Sequence, residues 1–406
     1  MANVVPEMFE LVDGQCKRAV IRVIGVGGGG CNTVNQMAAA NIQGVEFISA
    51  NTDRDHLEKC LPTLQLQLGA EVTRGLGAGS NPKLGREAAE EDRDRIREML
   101  EGTDLLFITA GMGGGTGTGA APVIAEIARE LGILTVAVVT KPFPHEGKKR
   151  LAVAQDGIRE LQQHVDSLIL IPNEKLRLVL GGNVTLLNGF KAANDVLQNA
   201  VQGISDLITR PGMMNVDFAD VKTVMANRGM AMMGLGAASG EDRAKKAVEA
   251  ALSSPLLDDL ELTGARGILV NITCDESLTL DELELVNERI NEIASAEVDM
   301  KCGTSFDPAL NGELRVTVVA TGLEGSRAAA LAAKAKEAMP EPRLKSPGVV
   351  TPLRTPSAWP ARGHDVEIPA QPQQRHARPA TSASLMALDY NEELLDIPAF
   401  LRAQAD

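Results

Sequence analysis

Residues 113–119 read GGGTGTG, five glycines and two threonines in seven positions. Glycine inside ordered structure costs about 0.5–1 kcal/mol relative to alanine, so such a run needs a compensating use. The use expected is close approach of a ligand to main-chain N–H groups. A second run, GVGGGG at 25–30, follows an apolar β-branched stretch and precedes a helix expected to begin near Asn32. Its Gly25-x-Gly27-x-x-Gly30 spacing satisfies the dinucleotide fingerprint, in which bare main chain at a helix N-terminus meets phosphate. Alone, the same spacing also suits a tight strand-to-helix turn. The run at 113–119 likewise lies between a strand and a helix, with Pro122 suited to that helix's first turn. Two glycine-lined helix starts predict phosphate binding. No G-x-x-x-x-G-K-[ST] occurs, which excludes a Walker-type loop.

The elements that must carry these runs are legible as β-branched apolar stretches at 19–27, 44–53, 104–113, 133–143 and 166–175. They lack clean alternation, as strands buried on both faces do, and helical stretches such as 87–100 and 122–131 separate them. The pattern predicts an α/β fold with a doubly wound, Rossmann-like parallel sheet. Each run ends in a Gly, Asn, Thr or Pro cluster, placing those clusters at the carboxyl edge where open α/β sheets bind ligands. Leu186, Phe190, Ala193, Leu197, Val201, Ile204 and Ile208 then recur at three or four, which predicts one long amphipathic helix. Strand-like GILVNITC and LRVTVVATG flank helical TLDELELVNERINEIASA, so a second α+β domain follows. The expected organisation is an N-terminal extension (1–18), a nucleotide-binding domain (19–185), a central helix (186–210) and a C-terminal α+β domain (211–323).

Residues 325–388 hold nine prolines and nine Lys/Arg against four Asp/Glu. Proline-rich sequence without apolar periodicity predicts a disordered linker (324–388) with a reach of about 45 Å. LDYNEELLDIPAFLRAQAD then returns to apolar and acidic residues, which predicts a docking peptide at 389–406. The 406 residues carry 40 Lys+Arg against 54 Asp+Glu, a net charge of -14. That argues against nucleic acid or anionic lipid as principal partner, but not against nucleotides, which glycine loops hold at close range. The five cysteines are scattered and form no C-x-x-C, and the five histidines form no cluster. The reading is a reduced cytoplasmic protein without structural zinc or direct membrane insertion. Cys31, at a helix start, admits a lowered pKa or a plain spacer role. Methionines of GMAMMG read as core or interface filler.

Two further groups are ambiguous from residue types alone. Phe190 and Asn194, four apart, share a helix face and offer a ring beside hydrogen-bonding groups, yet Phe190 also reads as ordinary core. Asp217 and Asp220 of NVDFAD read as helix caps. GGGTGTG, however, is a signature of the tubulin/FtsZ superfamily, and residues 19–321 resemble the FtsZ proteins of bacterial cell division. DIPAFLRAQAD resembles that family's terminal docking peptide.

The resemblance implies a polymerising cytoskeletal GTPase of the division septum, with GTP/GDP and Mg²⁺. It implies a phosphate cradle of Gly27, Gly28, Gly29, Gly30, Gly113, Gly114, Gly115, Thr116, Gly117, Thr118 and Gly119. Asn51, Asp53, Ala78 and Gly79 would complete the phosphate and metal side. Pro142, Glu146 and Arg150 would reach ribose and phosphate, and Asn173, Phe190, Asn194 and Asp195 would hold guanine. Asn215, Asp217 and Asp220 would act on the nucleotide of the next subunit in a head-to-tail protofilament. Residues 389–406 would bind membrane-tethering division adaptors at mid-cell. Two other classes remain open. A nicotinamide-dependent oxidoreductase would use Asp53 as its ribose acid but leave the second glycine run unused. A non-polymerising GTP-binding regulator would have no need of Asn215, Asp217 and Asp220.

Overall fold

The computed structural model describes residues 19–61, 64–180, 185–210, 212–227, 229–257, 264–295 and 298–323. The expected extension, linker and docking peptide lie outside these. The first half runs β1 (Ile21–Val26), α1 (Gly27–Ala39), β2 (Val45–Asn51), α2 (Arg54–Leu57), β3 (Leu64–Gln67), α3 (Ala70–Thr73), α4 (Pro82–Glu91), α5 (Arg93–Leu100), β4 (Leu105–Gly111), α6 (Thr116–Glu130), β5 (Leu134–Lys141), α7 (Lys148–Gln162) and β6 (Ser167–Pro172). The second runs α8 (Asn173–Leu180), α9 (Leu186–Thr209), α10 (Phe218–Met225), β7 (Gly229–Ser239), α11 (Arg243–Leu252), β8 (Gly267–Cys274), α12 (Leu280–Ile293), β9 (Asp299–Phe306) and β10 (Glu313–Thr321).

The strands form one ten-stranded sheet in the order β3-β2-β1-β4-β5-β6-β7-β10-β8-β9. β1 to β6 are all parallel, and β7 continues the sheet by pairing with β6 from Ser167↔Gly229 to Ile169↔Ala231. The β7–β10 and β10–β8 pairs are antiparallel, while β8–β9 is parallel. Burial on both faces explains the missing alternation in the sequence. Ile24, Ile48, Ile108 and Ala137 pack on one side, and Val23, Phe107, Val136 and Val138 on the other.

Register is what assembles the site. Val26 pairs with Ala50 and Ala110, Gly111 with Thr140, and Lys141 with Pro172. The turns after β1, β2, β4, β5 and β6 therefore open at one edge. The strand order reverses between β1 and β4, the topological switch point at which such sheets bind ligands.

Both glycine-lined helices start earlier than the sequence suggests. α1 begins at Gly27 rather than near Asn32, and α6 at Thr116, which leaves Pro122 inside the helix. The reason is packing. A Cβ on Gly30 would lie 2.3 Å from the Thr109 carbonyl oxygen, and one on Gly119 would lie 2.0 Å from that of Pro82. These helical positions are glycine because their neighbours leave no room for a side chain, so a bare run need not mark a loop. α9 buries Ala193, Leu197, Val201 and Ile204 as the periodicity requires, but Phe190 remains 42% exposed.

Candidate functional site

A cleft of about 880 Å³, counting its open mouth, lies on this edge. Fourteen of the residues expected there line it: Gly27, Gly28, Gly29, Gly79, Gly114, Gly115, Thr116, Gly117, Pro142, Glu146, Arg150, Asn173, Phe190 and Asn194. Val26, Gly111, Met112, Thr140, Ala193 and Leu197 line it too and carried no signal beyond their positions at strand ends or on α9. Gly30, Asn51, Asp53, Ala78, Gly113, Thr118, Gly119 and Asp195 do not line it, although Ala78 adjoins the lining Gly115, and Gly113 adjoins Pro142 and Arg150.

The floor consists of the two helix starts. Neither α1, after Val26, nor α6, after Gly115, has a side-chain cap or an acidic residue in its first turn. The orphan N–H groups and the positive dipole ends of both helices thus face a common cleft, an arrangement suited to anions. The glycines divide by use. A Cβ on Gly114 would meet nothing within 4 Å, whereas one on Gly115 would lie 2.6 Å from the Gly79 carbonyl oxygen and 2.8 Å from that of Ala78. Gly114 is open toward a ligand; Gly115 is bare because another loop touches it. Gly113 has φ +97°, and the Gly113 N–H donates to the Thr118 hydroxyl at 2.8 Å, closing the loop on itself.

On the β2 side the Thr52 and Thr116 hydroxyls are 2.6 Å apart. Asp53 caps α2, its carboxylate accepting from the His56 N–H at 3.0 Å, and Asn51 accepts from the Asp53 N–H at 3.3 Å. The Nδ2 of Asn51 is buried with no partner. Across the cleft Glu146 accepts from the Phe143 N–H at 2.8 Å and pairs with Arg150 at 3.2 Å. At the α9 end the Phe190 ring stands edge-on to Phe143, centroids 5.6 Å apart. Asn173 is buried in the cleft wall with an unpartnered Oδ1. Asn194 Oδ1 lies 3.1 Å from the Thr33 hydroxyl, and Asp195 faces α1, accepting from Gln36. A half-exposed ring beside an unsatisfied buried amide is an arrangement for a flat polar heterocycle. It removes the reading of Phe190 as ordinary core.

Cys31 lies just past the α1 start yet is fully buried, and burial, with Cys60 beside it, pushes the thiol well above its ordinary value. The activated-thiol alternative is thereby excluded. No group of three or more His, Cys, Asp or Glu residues that could hold a metal is present among the described residues.

Asn215, Asp217 and Asp220 are elsewhere. The groove that Asn215 and Asp217 line also contains Val20, Ile21, Val45, Leu207 and Phe218, at the amino edge of the sheet. Asp217 occupies the N-cap position of α10 and Asp220 its first turn, as the capping reading expects, though the Asp217 side chain makes no cap bond. Asp220 pairs with Lys301 at 3.2 Å. Asn215 accepts from the Gly212 N–H at 2.8 Å.

Residues 20–181 match the family model for the GTPase domain of the tubulin/FtsZ family, and residues 229–324 match that for the FtsZ family C-terminal domain. The chain belongs to the tubulin/FtsZ family. It is 56% identical over 407 residues to a cell division protein FtsZ of Azotobacter vinelandii, covering 98% of this chain and all of that one. A Pseudomonas aeruginosa cell division protein FtsZ is 54% identical, with the same coverage. A solved FtsZ dimer, described as empty, from M. jannaschii superimposes with a TM-score of 0.74 at 45% identity, covering 77% of this chain and 90% of that one. The chain is thus a GTPase of the tubulin/FtsZ family, and the glycine-lined cleft lies within the matched GTPase domain. No described helix is long and apolar enough to cross a membrane.

Proposed function

We propose that this chain binds GTP in the glycine-lined cleft and hydrolyses it only after head-to-tail assembly, as the polymerising protein of the bacterial division ring. One observation carries this reading. The cleft is at the carboxyl edge of the sheet, with Phe190 and Asn194 in its wall, whereas Asn215 and Asp217 line a groove at the amino edge. From Phe190 to Thr209, α9 alone separates them by about 28 Å. No acid of the α10 loop can reach its own cleft, but stacking a second copy end to end brings one subunit's loop to the next subunit's cleft. Exposed apolar residues support such stacking at both ends, with Leu76 84% exposed beside Asp53 and Met213 72% exposed before α10.

In this reading Gly27, Gly28, Gly29, Gly79 and Gly114 present main chain to the phosphates. Phe190 stacks on guanine while Asn173, Asn194 and, after releasing Gln36, Asp195 hydrogen-bond its edge. Glu146 and Arg150 hold ribose and phosphate. Asp217 and Asp220 of the neighbour orient and polarise the attacking water, and Asn215 shapes their loop. Phosphoryl transfer depends on position and charge neutralisation, so acids supplied in trans make assembly a condition of hydrolysis. The donor set fits Mg²⁺ of the nucleotide-borne kind. No cluster of protein acids is present among the described residues, so the ion would be held chiefly by phosphate oxygens, with the Thr116 hydroxyl as the protein oxygen at the cleft. When bound, it would neutralise developing phosphate charge. Adaptor binding through residues 389–406 would bring the filament to the membrane at mid-cell.

GTP turnover per subunit, measured across protein concentration, tests the reading. It should be near zero below a threshold and rise to a plateau above it, in step with light scattering. Turnover per subunit independent of concentration would refute assembly-dependent hydrolysis.

A further inference from the structure

The loop that carries Asn215 and Asp217 is fastened to one strand. The Met214 N–H donates to the Thr304 hydroxyl at 3.0 Å, and the Thr304 N–H donates to the Met214 carbonyl at 2.9 Å. A Cβ on Gly212 would come within 1.6 Å of the Thr304 carbonyl oxygen, so the loop lies flat against β9. Two residues apart on that strand, Asp299 and Lys301 share one face. Lys301 Nζ reaches Asp220 at 3.2 Å and Asp299 at 3.5 Å. The hydrogen bond to Asp220 and the nearby Asp299 charge hold the Lys301 ammonium above its ordinary pKa. The end of the molecule thus presents three carboxylates, Asp217, Asp220 and Asp299, with Lys301 between two of them. Lys222 on α10 is exposed. Nothing in the reaction as described above uses Lys301.

Carboxylates brought against a triphosphate repel it, and the repulsion grows as the closing interface excludes water. A cation that tethers one carboxylate without leaving the face offsets that repulsion and fixes the direction of the acid. We propose that Lys301 is a positioning residue for hydrolysis in trans. It aims the Asp220 carboxylate and lowers the electrostatic barrier to seating the acid loop on the next subunit's nucleotide. The proposal rests on the reading that Asp220 acts on the neighbour's nucleotide.

The test uses the full chain with K301M, K301R and D220N. GTP binding is measured below the assembly threshold, the threshold by light scattering across KCl concentration, and turnover per sedimented subunit. Lys301 is partly exposed, so both substitutions should fold, which circular dichroism checks. K301M should bind GTP normally, raise the threshold about fivefold at low salt with a smaller effect at high salt, and lower turnover per assembled subunit about threefold or more. K301R should restore both quantities. K301M matching the parent in threshold and turnover would overturn the proposal, as would K301R behaving like K301M, because the charge would then not be what matters. D220N separates the two levels. If D220N keeps full turnover, the underlying reading fails; if D220N is inactive while K301M is unaffected, only the role of Lys301 falls.

Discussion

At the N-terminal end of α9 the molecule presents glycine and uncapped helix starts, whereas beyond its C-terminal end it presents carboxylates and exposed methionines. In the proposed reading the first region attracts phosphate but offers little to activate water. The second can orient water but would repel phosphate on its own. Each lacks what the other supplies, and a rigid helix with a buried face keeps them apart within one chain. If the reaction is divided in this way between two ends of one subunit, chemistry becomes a report on contact between subunits.

The largest effect expected concerns the acid end. Asp220→Asn should lower steady-state GTP turnover by about 100-fold or more while GTP affinity stays near normal, as for a group that acts on the transition state. Equal losses in titration calorimetry and turnover would place Asp220 in binding and dissolve the contrast between the ends.

The glycine end sharpens the comparison by a pair of substitutions one residue apart. Gly115→Ser puts a side chain into the Ala78–Gly79 main chain, so overpacking should destabilise the fold by about 1–3 kcal/mol, read as a lowered Tm. Gly114→Ala meets no protein atom and should leave Tm unchanged while weakening GTP about tenfold. Equal Tm losses would mean that both glycines serve packing alone. Phe190→Ala should weaken guanine nucleotides about five- to tenfold, the scale of a lost base–aromatic stack, with little change in Tm because the ring is 42% exposed.

The smallest effect lies outside both regions. Asp275 accepts from the Ser277 N–H at 3.1 Å and the Gly312 N–H at 2.7 Å, and the bonds from Ser277 above all hold its carboxyl down to about 2. A depressed folded-state pKa gives stability that is present above about 4 and lost as pH falls toward about 2. Asp275→Asn should flatten that part of the Tm–pH curve without altering GTP turnover at neutral pH.

The parallel sheet and its carboxyl-edge site were readable because both-face burial, β-branched runs and their terminal Gly, Asn and Pro residues are local signals. The start of α6 was not, because whether Gly115 or Gly119 touches ligand or protein depends on the main chain at Ala78, Gly79 and Pro82, remote in sequence. β7 was missed for a related reason. GMAMMGLGAAS has no β-branched residue, and it is a strand because β6 and β10 flank it. Phe190 continued a helical stripe yet reached the surface, since α9 extends past the sheet that buries its later turns. The separation of Asp217 from the cleft was invisible to spacing and needed three-dimensional placement.

If one subunit's acids serve another's nucleotide, two variants defective at opposite ends should restore turnover when mixed. D220N retains its cleft, while Gly114→Trp should block the cleft and keep its acids. Each alone should turn over GTP at background rate. Their equimolar mixture should recover a substantial share of parent activity, because a blocked subunit can lend Asp220 to a D220N neighbour. A mixture that co-sediments yet stays at background would contradict catalysis in trans.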